Sequence, residues 1–514
     1  MKVVCLLILF LFNKLLFSQN NTIGIFDKAA DIGKPKNTGS ARFEDSTQTY
    51  YMKGSGYNIW FNRDEFQYLY KKIAGNFILT ADFEFMGAQG NGHRKIGWMI
   101  RESPDEGAAS VNAVVHGDGL TVLQWRSLRG AFMRDPEDET FYAKKTLFRT
   151  IQLERFGKKV IMRVANWGEP LQEVTTQEMP NLKDSVLVGL FISSHDSDKV
   201  EEAKMWNVRI DRPIPESFHP NPQVKLPPIQ GVVGCRLEVM NVFDGKRKVI
   251  RESAGKFEAP NWMPDGKKLL YNEGGSLYTI PIEGGTPEKV NTDTLKRINN
   301  DHGISFNGKM LAISHSRQGT GGGSTVYTLP LTGGTPKQIT EQTPSYWHGW
   351  APNGKEVAVV GMRDGRKIYN LYKVDINTRV ETALTSNTTG HVDGPEYSPD
   401  GKYIYYNANP TGTMQIWRMR ADGSAKEQLT FDEYHSWFPH ISPDGKWMIM
   451  ISFPTDIDPA SHPSYKKVML RLMPVSGGAP RVIAFLYGGQ GTINVNSWSP
   501  DSKRIAFVSN SERK

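Results

Sequence analysis

From about residue 257 to its end the chain repeats one phrase six times: a short apolar strand, a turn of the type Pro-Asp-Gly-Lys, and a second apolar strand. The copies centre on Asp265, Asn307, Asn353, Asp400, Asp444 and Asp501, at intervals of 42 to 57 residues. No other property of the chain narrows its fold as far. A period of roughly 40–50 residues with four strands per unit is the pattern of a β-propeller, because no unit buries its own apolar faces and each must stack on the next. The last copy, Trp498-Ser-Pro-Asp501 and the strand at 505–509, lacks its two outer strands. Residues 236–243, the turn Asp244-Gly245 and residues 248–250 supply two unassigned strands at the other end. Pairing the two ends removes a free sheet edge, so a six-bladed β-propeller is expected over 231–514.

Residues 22–211 contain no such phrase. They read as short strands separated by Gly, Asn and Asp turns, with clear alternation from Phe77 to Phe85 and a hairpin turn at Phe156-Gly157-Lys158. The whole chain is therefore all-β, and strands at this spacing form a sandwich or jelly roll. The order of segments resembles the concanavalin-like sandwich of the DUF1349 and laminin-G-like families, which implies a concanavalin-like β-sandwich over 20–211. Trp60, Trp98, Trp125 and Trp167 read as its core rather than as sugar platforms. Pro213, Pro215, Pro220, Pro222, Pro227 and Pro228 fall within 212–230. So much proline blocks helix and ladder alike, and that stretch reads as a linker.

Lys2, the apolar run 3–12 and the polar end near Ser18-Gln19 read as a signal peptide over 1–19, too short in its apolar core for a stable membrane anchor. Cys235 is the sole cysteine after removal of that segment, so no intramolecular disulfide is expected. A periplasmic location follows as the expectation. The chain stops after a strand with no sorting domain, which points the same way and favours oligosaccharides over long polymer. The formal charge of +8 falls to +6 without Lys2 and Lys14, and no basic run is dense enough for nucleic acid. Acidic small molecules or anionic polysaccharides suit that balance, as does a merely solvated surface.

Histidines recur just before the turn. His302, His348, His391, His435 and His440 lie four to nine residues upstream of it. In a propeller the strand before this turn is innermost, and its start shares a face with the end of the next strand. His302, His348, His391, His435 and Gln490 are thereby expected to converge with His315, Arg317, Arg363, Asn407 and Asn409. A lone histidine in such a strand is usually core. Several at equivalent places would bind a divalent metal, or depress one another's pKa until one serves as a base. By contrast, Gly319-Thr-Gly-Gly-Gly-Ser324 reads as a plain loop, and the loop with Asp456, Asp458 and His462 reads as solvated.

The repeated phrases resemble TolB-like propellers with PD40 repeats over 231–509, most sharply in the Ser-Pro-Asp-Gly-Lys cores at 398–402 and 442–446. Where that phrase usually carries Pro, as at Pro260, Pro395 and Pro439, this chain has His302 and His348. The run His435-Ser-Trp-Phe-Pro-His440 further resembles the His-rich entry of the oligogalacturonate lyases. This resemblance implies a divalent metal (Mn or Ca) on His391, His435, His440 and Gln490, with His348 as a further candidate. It also implies His302 as base, His348 and Arg363 as catalytic partners, and His315, Arg317 and Asn407 at the substrate. Those lyases have seven blades and a close Gln-x-x-His pair, neither of which is read here. The implied reaction is β-elimination on uronic acid residues of an anionic oligosaccharide, as lyase or as dehydratase of the ulvan-utilisation kind. The alternative is a non-catalytic TolB-like module that binds a glycan or a protein.

Overall fold

The computed structural model describes residues 22–136, 147–214, 232–317, 323–363, 365, 367–387 and 389–513. The signal segment, most of the proline-rich linker and most of the 319–324 loop lie outside these. The described residues form strands, turns and bends, with no helix among them.

Over residues 28–211 the strands form two large antiparallel sheets, with Ile59–Trp60 and Arg63–Asp64 paired apart from them. One runs Lys28–Ile32, Phe66–Ala74, Ser185–Ser193, Lys95–Arg101, Ser110–His116, Thr121–Arg126. The other runs Gln172–Glu178, Lys159–Ala165, Thr150–Phe156, Phe77–Phe85, Asp196–Asp211, Thr49–Gly56, Ser40–Glu44. Alternation decides which side chains go inward: Phe77, Leu79, Ala81 and Phe83 from one sheet share a core with Trp98, Ile100 and Leu190 from the other.

After the linker come six successive antiparallel sheets, a propeller-type domain. Five have four strands each, and their first strands are Phe257–Trp262, Ile298–Ile304, Ser345–Trp350, Val392–Tyr397 and His435–Ile441. The sixth has three, and in it the two ends of the domain meet. Val232–Asn241 pairs with Arg504–Arg513 from Val232↔Arg513 to Asn241↔Arg504, and with Arg247–Ser253 on its other side. A bridge from Trp498 to Ile505 continues that sheet inward. The unassigned strands at 236–243 and 248–250 thus take the partner expected of them, and neither end is left as an open edge.

The repeated turn has a physical cause. In each copy the Asp or Asn side chain accepts a hydrogen bond from the backbone N–H two residues on, at 2.8–3.2 Å. The residue between adopts a left-handed φ of 67–72° in the five copies where it is glycine. In the sixth copy Ser502 takes that conformation at 58°. Its hydroxyl accepts a hydrogen bond from the Asp444 N–H, which offsets the strain.

The two domains are joined by buried charge. Glu238, fully buried, is gripped by Arg209 of the first domain at 2.6 Å and by Arg247 of the second at 2.8 Å. The Ser509 hydroxyl donates to the same carboxylate. The Gln48 side chain makes two hydrogen bonds to the Val249 backbone, and Lys467 reaches Glu154 at 2.6 Å.

Candidate active site at the propeller mouth

The first strand of each four-stranded sheet carries a β-bulge near its start. Register shifts fall between Glu258 and Asn261, Ile298 and His302, Trp347 and Gly349, Asp393 and Glu396, and Trp437 and His440. A bulge breaks the two-residue alternation and re-aims the side chains around it. Ala259 and Phe438 adopt positive φ there, at 52° and 53°, and Gly394 does so at 60°. His348 is itself the extra residue of the third sheet. In the second sheet the run Asn299 to Asp301 loops out, pinned by the Asn299 side chain, which accepts from the Asp301 N–H at 2.9 Å.

These bulges build one cluster around Asp393. Its Oδ1 lies 3.1 Å from His348 Nε2, and its Oδ2 lies 3.6 Å from His391 Nε2 and 3.7 Å from His462 Nε2. Aromatic rings wall it in. Trp437 is 4.4 Å from the His462 ring, Phe438 stacks on His348 at 5.8 Å, and Tyr369 meets His391 at 5.3 Å. His348 Nδ1, His391 Nε2 and His462 Nδ1 are buried without a hydrogen-bond partner among the described residues.

Burial sets the protonation states. It would raise the Asp393 carboxyl, but His348, with His391 and His462 close by, outweighs it and holds the group well below the usual carboxylate range. Burial likewise opposes charge on His348, yet the adjacent Asp393 raises its pKa. Each partner thus favours the charged form of the other. Asp301 differs: burial pushes its carboxyl up to about 6, with His348 opposing and Asp393 adding to the rise. Burial also raises the Tyr346 and Tyr369 phenols, which stay protonated near neutral pH.

The repeats at 324–461 match the family model of the TolB β-propeller domain, PD40. An uncharacterised protein of Agrobacterium fabrum is 45% identical over 279 residues, covering 54% of this chain and 93% of that protein. The structure of a putative TolB from Agrobacterium tumefaciens is 44% identical, covers 55% of this chain and all of the other, and superposes with a TM-score of 0.52. The chain belongs to the TolB-like β-propeller family. An oligogalacturonate lyase solved with manganese is far more distant: 12% identity over 49% of this chain and 67% of that one, with a TM-score of 0.33. No activity follows from a likeness at that distance.

Within this TolB-like propeller the residues singled out by sequence fall in different places. His348 and His391 come together as expected. His302 is fully buried with neither ring nitrogen hydrogen-bonded among the described residues, and burial holds its pKa down to about 4; backbone groups of Asn299, Ala259 and Asn300 oppose this only in part. His435 sits against 455–458, where burial lowers its pKa despite Asp458. His440 has both nitrogens engaged, with Glu396 at 2.6 Å and the Ile493 carbonyl at 2.8 Å. Gln490 accepts from Asn494 and its N–H donates to the Pro463 carbonyl, so it braces the loop that carries His462. His391, His435, His440 and Gln490 therefore do not share a centre. Among the described residues no group of three or more His, Cys, Asp or Glu is arranged, as the side chains stand, to hold a metal ion.

Arg363 is turned from the mouth. It forms a two-pronged pair with Glu381, both contacts 2.7 Å, donates to Ser345 and to the Pro344 carbonyl, and lies over the Tyr372 ring. Asn407 is buried and accepts from the Phe438 N–H at 3.1 Å, which fixes that bulge. His315 is half-buried against Tyr327, and the Arg317 N–H donates to the Gly323 carbonyl at 3.3 Å. Arg363→Ala is thus expected to cost stability. The loss of a two-pronged charged pair is worth about 1.5–3 kcal/mol, read as a lower melting temperature of the propeller, whereas binding at the mouth stays intact.

Asp301, Asp393 and His462 carry the cluster and were not among the residues picked from the repeat. His462 had a signal: the connection at 454–465 is twice as long as the one at 409–414 in the preceding sheet, and long loops in compact domains are often functional.

Proposed function

We propose that the chain is a carbon–oxygen lyase that acts by β-elimination on uronic acid residues of anionic oligosaccharides, with the Asp393 cluster as its active site. The observation that carries this reading is Asp301, a carboxyl pushed up to about 6 that interacts electrostatically with His348, itself 3.1 Å from Asp393. On this reading six sheets are six blades, the two packed sheets are a concanavalin-like sandwich, and the signal segment delivers the chain to the periplasm.

The residues supply what the reaction needs. The Asp301 carboxylate takes the proton from C5, α to the substrate carboxylate. The His348 imidazolium faces that carboxylate and stabilises the charge that builds on it as the C5–H bond breaks. The C4–C5 double bond forms as the C4–O bond breaks, and a phenol of Tyr346 or Tyr369 protonates the departing oxygen. A glycosyl oxygen leaving makes the enzyme a lyase; a hydroxyl leaving makes it a dehydratase. Both yield an unsaturated uronyl end. His391, His462 and Asp393, with the unpartnered His391 Nε2 among them, would have to rearrange to hold a divalent cation. Such an ion would neutralise the substrate carboxylate when bound.

Incubation with pectic, alginate and ulvan oligosaccharides is expected to raise ultraviolet absorbance from the conjugated uronate with at least one of them. No rise with any of the three, with and without added manganese, overturns the proposal. Mass spectrometry of the product separates loss of water from scission into two shorter chains. Because Asp301 must be ionised to act as base, the rate is expected to fall below pH 6 and to level off above it. The second reading, a TolB-like module that binds without turnover, is favoured by the 44% identity to a putative TolB. The same assay decides between them.

A further inference from the structure

Away from the mouth, a cleft of about 740 Å³ opens where the two domains meet. Its walls come from the end of strand Phe66–Ala74, from the end of Asp196–Asp211 and Arg212, and from Val232–Asn241 and Arg247–Ser253 of the propeller. Six cationic residues line it. Three are matched: Arg209 by Glu238, Arg236 by Asp211 and Glu252, and Arg251 by Glu273. The other three are not. Among the described residues Lys71 and Lys72 form no ion pair, and the Arg212 guanidinium donates only to the Ala74 carbonyl, with its buried Nε unpartnered. Asp45 is the one further acid on the wall. The cleft therefore carries an excess of positive charge in a concave, partly desolvated setting, where Coulomb attraction is screened less than on an open surface. Phe43 adds an apolar side chain to the lining.

We infer that this cleft is a second, non-catalytic site for an anionic saccharide, with Lys71, Lys72 and Arg212 engaging its carboxylate or sulfate groups. The choice of a saccharide rests on the proposed function; the preference for an anion rests on the cleft alone. Both domains contribute to the walls, so a chain bound here would also fasten the domains together.

Calorimetry on the full chain bearing Asp301→Asn, which removes the proposed base, tests this with oligogalacturonate, a sulfated oligosaccharide of the ulvan type and a neutral cello-oligosaccharide. Binding is expected for at least one anionic probe and not for the neutral one. The carboxylated and sulfated arms identify the anion. Adding Lys71→Gln and Lys72→Gln is expected to weaken one class of sites by about tenfold or more, which is 1.4 kcal/mol or above, and to flatten its salt dependence. Arg212→Gln serves as a second variant, and an unchanged melting temperature confirms that each protein folds. The same affinity and stoichiometry in the lysine variants and in their parent, or no binding of any anion, overturns the inference. A single class of sites that disappears with the lysines supports the cleft while removing the mouth as a saccharide site, so the two proposals fail separately.

Discussion

Asp301→Asn is expected to fold with its neighbours in place and to lose turnover on uronate oligosaccharides by about 10²–10⁴-fold, the usual worth of a positioned general base. Asparagine has almost the same shape. Asn299 can still donate to the side-chain oxygen it now meets at 3.0 Å, and the loop from Asn299 to Asp301 keeps its backbone pin. What disappears is the ionisable group. The pKa of about 6 arises because burial penalises the carboxylate, with the nearby Asp393 charge adding and His348 opposing. The low-pH fall in rate should therefore vanish along with most of the rate. A merely structural role would leave kcat within a few-fold of the parent and the low-pH limb in place, which would remove Asp301 as the base. Asp393→Asn offers a contrast. Asp393 is a positioning residue whose charge raises the His348 pKa. Its loss should lower the pH at which the His348 imidazolium disappears, visible as a shifted imidazole resonance in NMR titration.

Glu238→Ala is expected to produce the largest loss of stability. Glu238 sits fully buried between Arg209 and Arg247, and its removal leaves two buried guanidinium groups facing each other without a counter-charge. Breaking a buried ion pair on one side typically costs about 3–5 kcal/mol, which in a domain of this size is a fall in melting temperature on the order of 10 °C. The effect should reach both domains, because Arg209 belongs to the first and Arg247 to the second. The same site predicts a pH dependence. Burial alone would raise the Glu238 carboxyl, but the two arginines outweigh it and depress the pKa far below the ordinary value. A depressed carboxylate stabilises the fold fully above the unfolded-state pKa of about 4.3, and that stabilisation drains away as pH falls below it. Replacing Glu238 with Ala should flatten the acid limb of a melting-temperature profile. A variant that melts within a degree or two of the parent would mean that the triad adds little beyond its own desolvation.

Much of the architecture was legible in the chain because it is local. Strand Phe77–Phe85 follows from alternation, and the six turns follow from an Asx side chain bonded two residues on, with a glycine free to adopt positive φ in five of them. The pairing of 236–243 with the last strand was legible too, since two unassigned strands and a shortened last repeat fit each other. The site was half legible. His348 and His391 were found by counting back from the turn, and both reach Asp393.

The remainder was decided by the tertiary structure, for reasons of geometry. Counting along a strand assumes strict alternation. Each first strand instead carries a bulge, which turns Asp301 toward the cluster in place of His302 and puts His348 at the displaced position itself. His440 and Arg363 have the right residue types at plausible positions, but Glu396 and Glu381 reach them first, and no spacing in the chain announces those partners. His462 arrives on a loop whose length was visible and whose course was not. The sequence by itself determined the repeat, its turns and the presence of histidines near one end of a propeller, because those depend on neighbours a few residues apart. Only the folded chain decided which acids and imidazoles share a charge, because that depends on bulges, loops and competing ion pairs brought together across whole sheets.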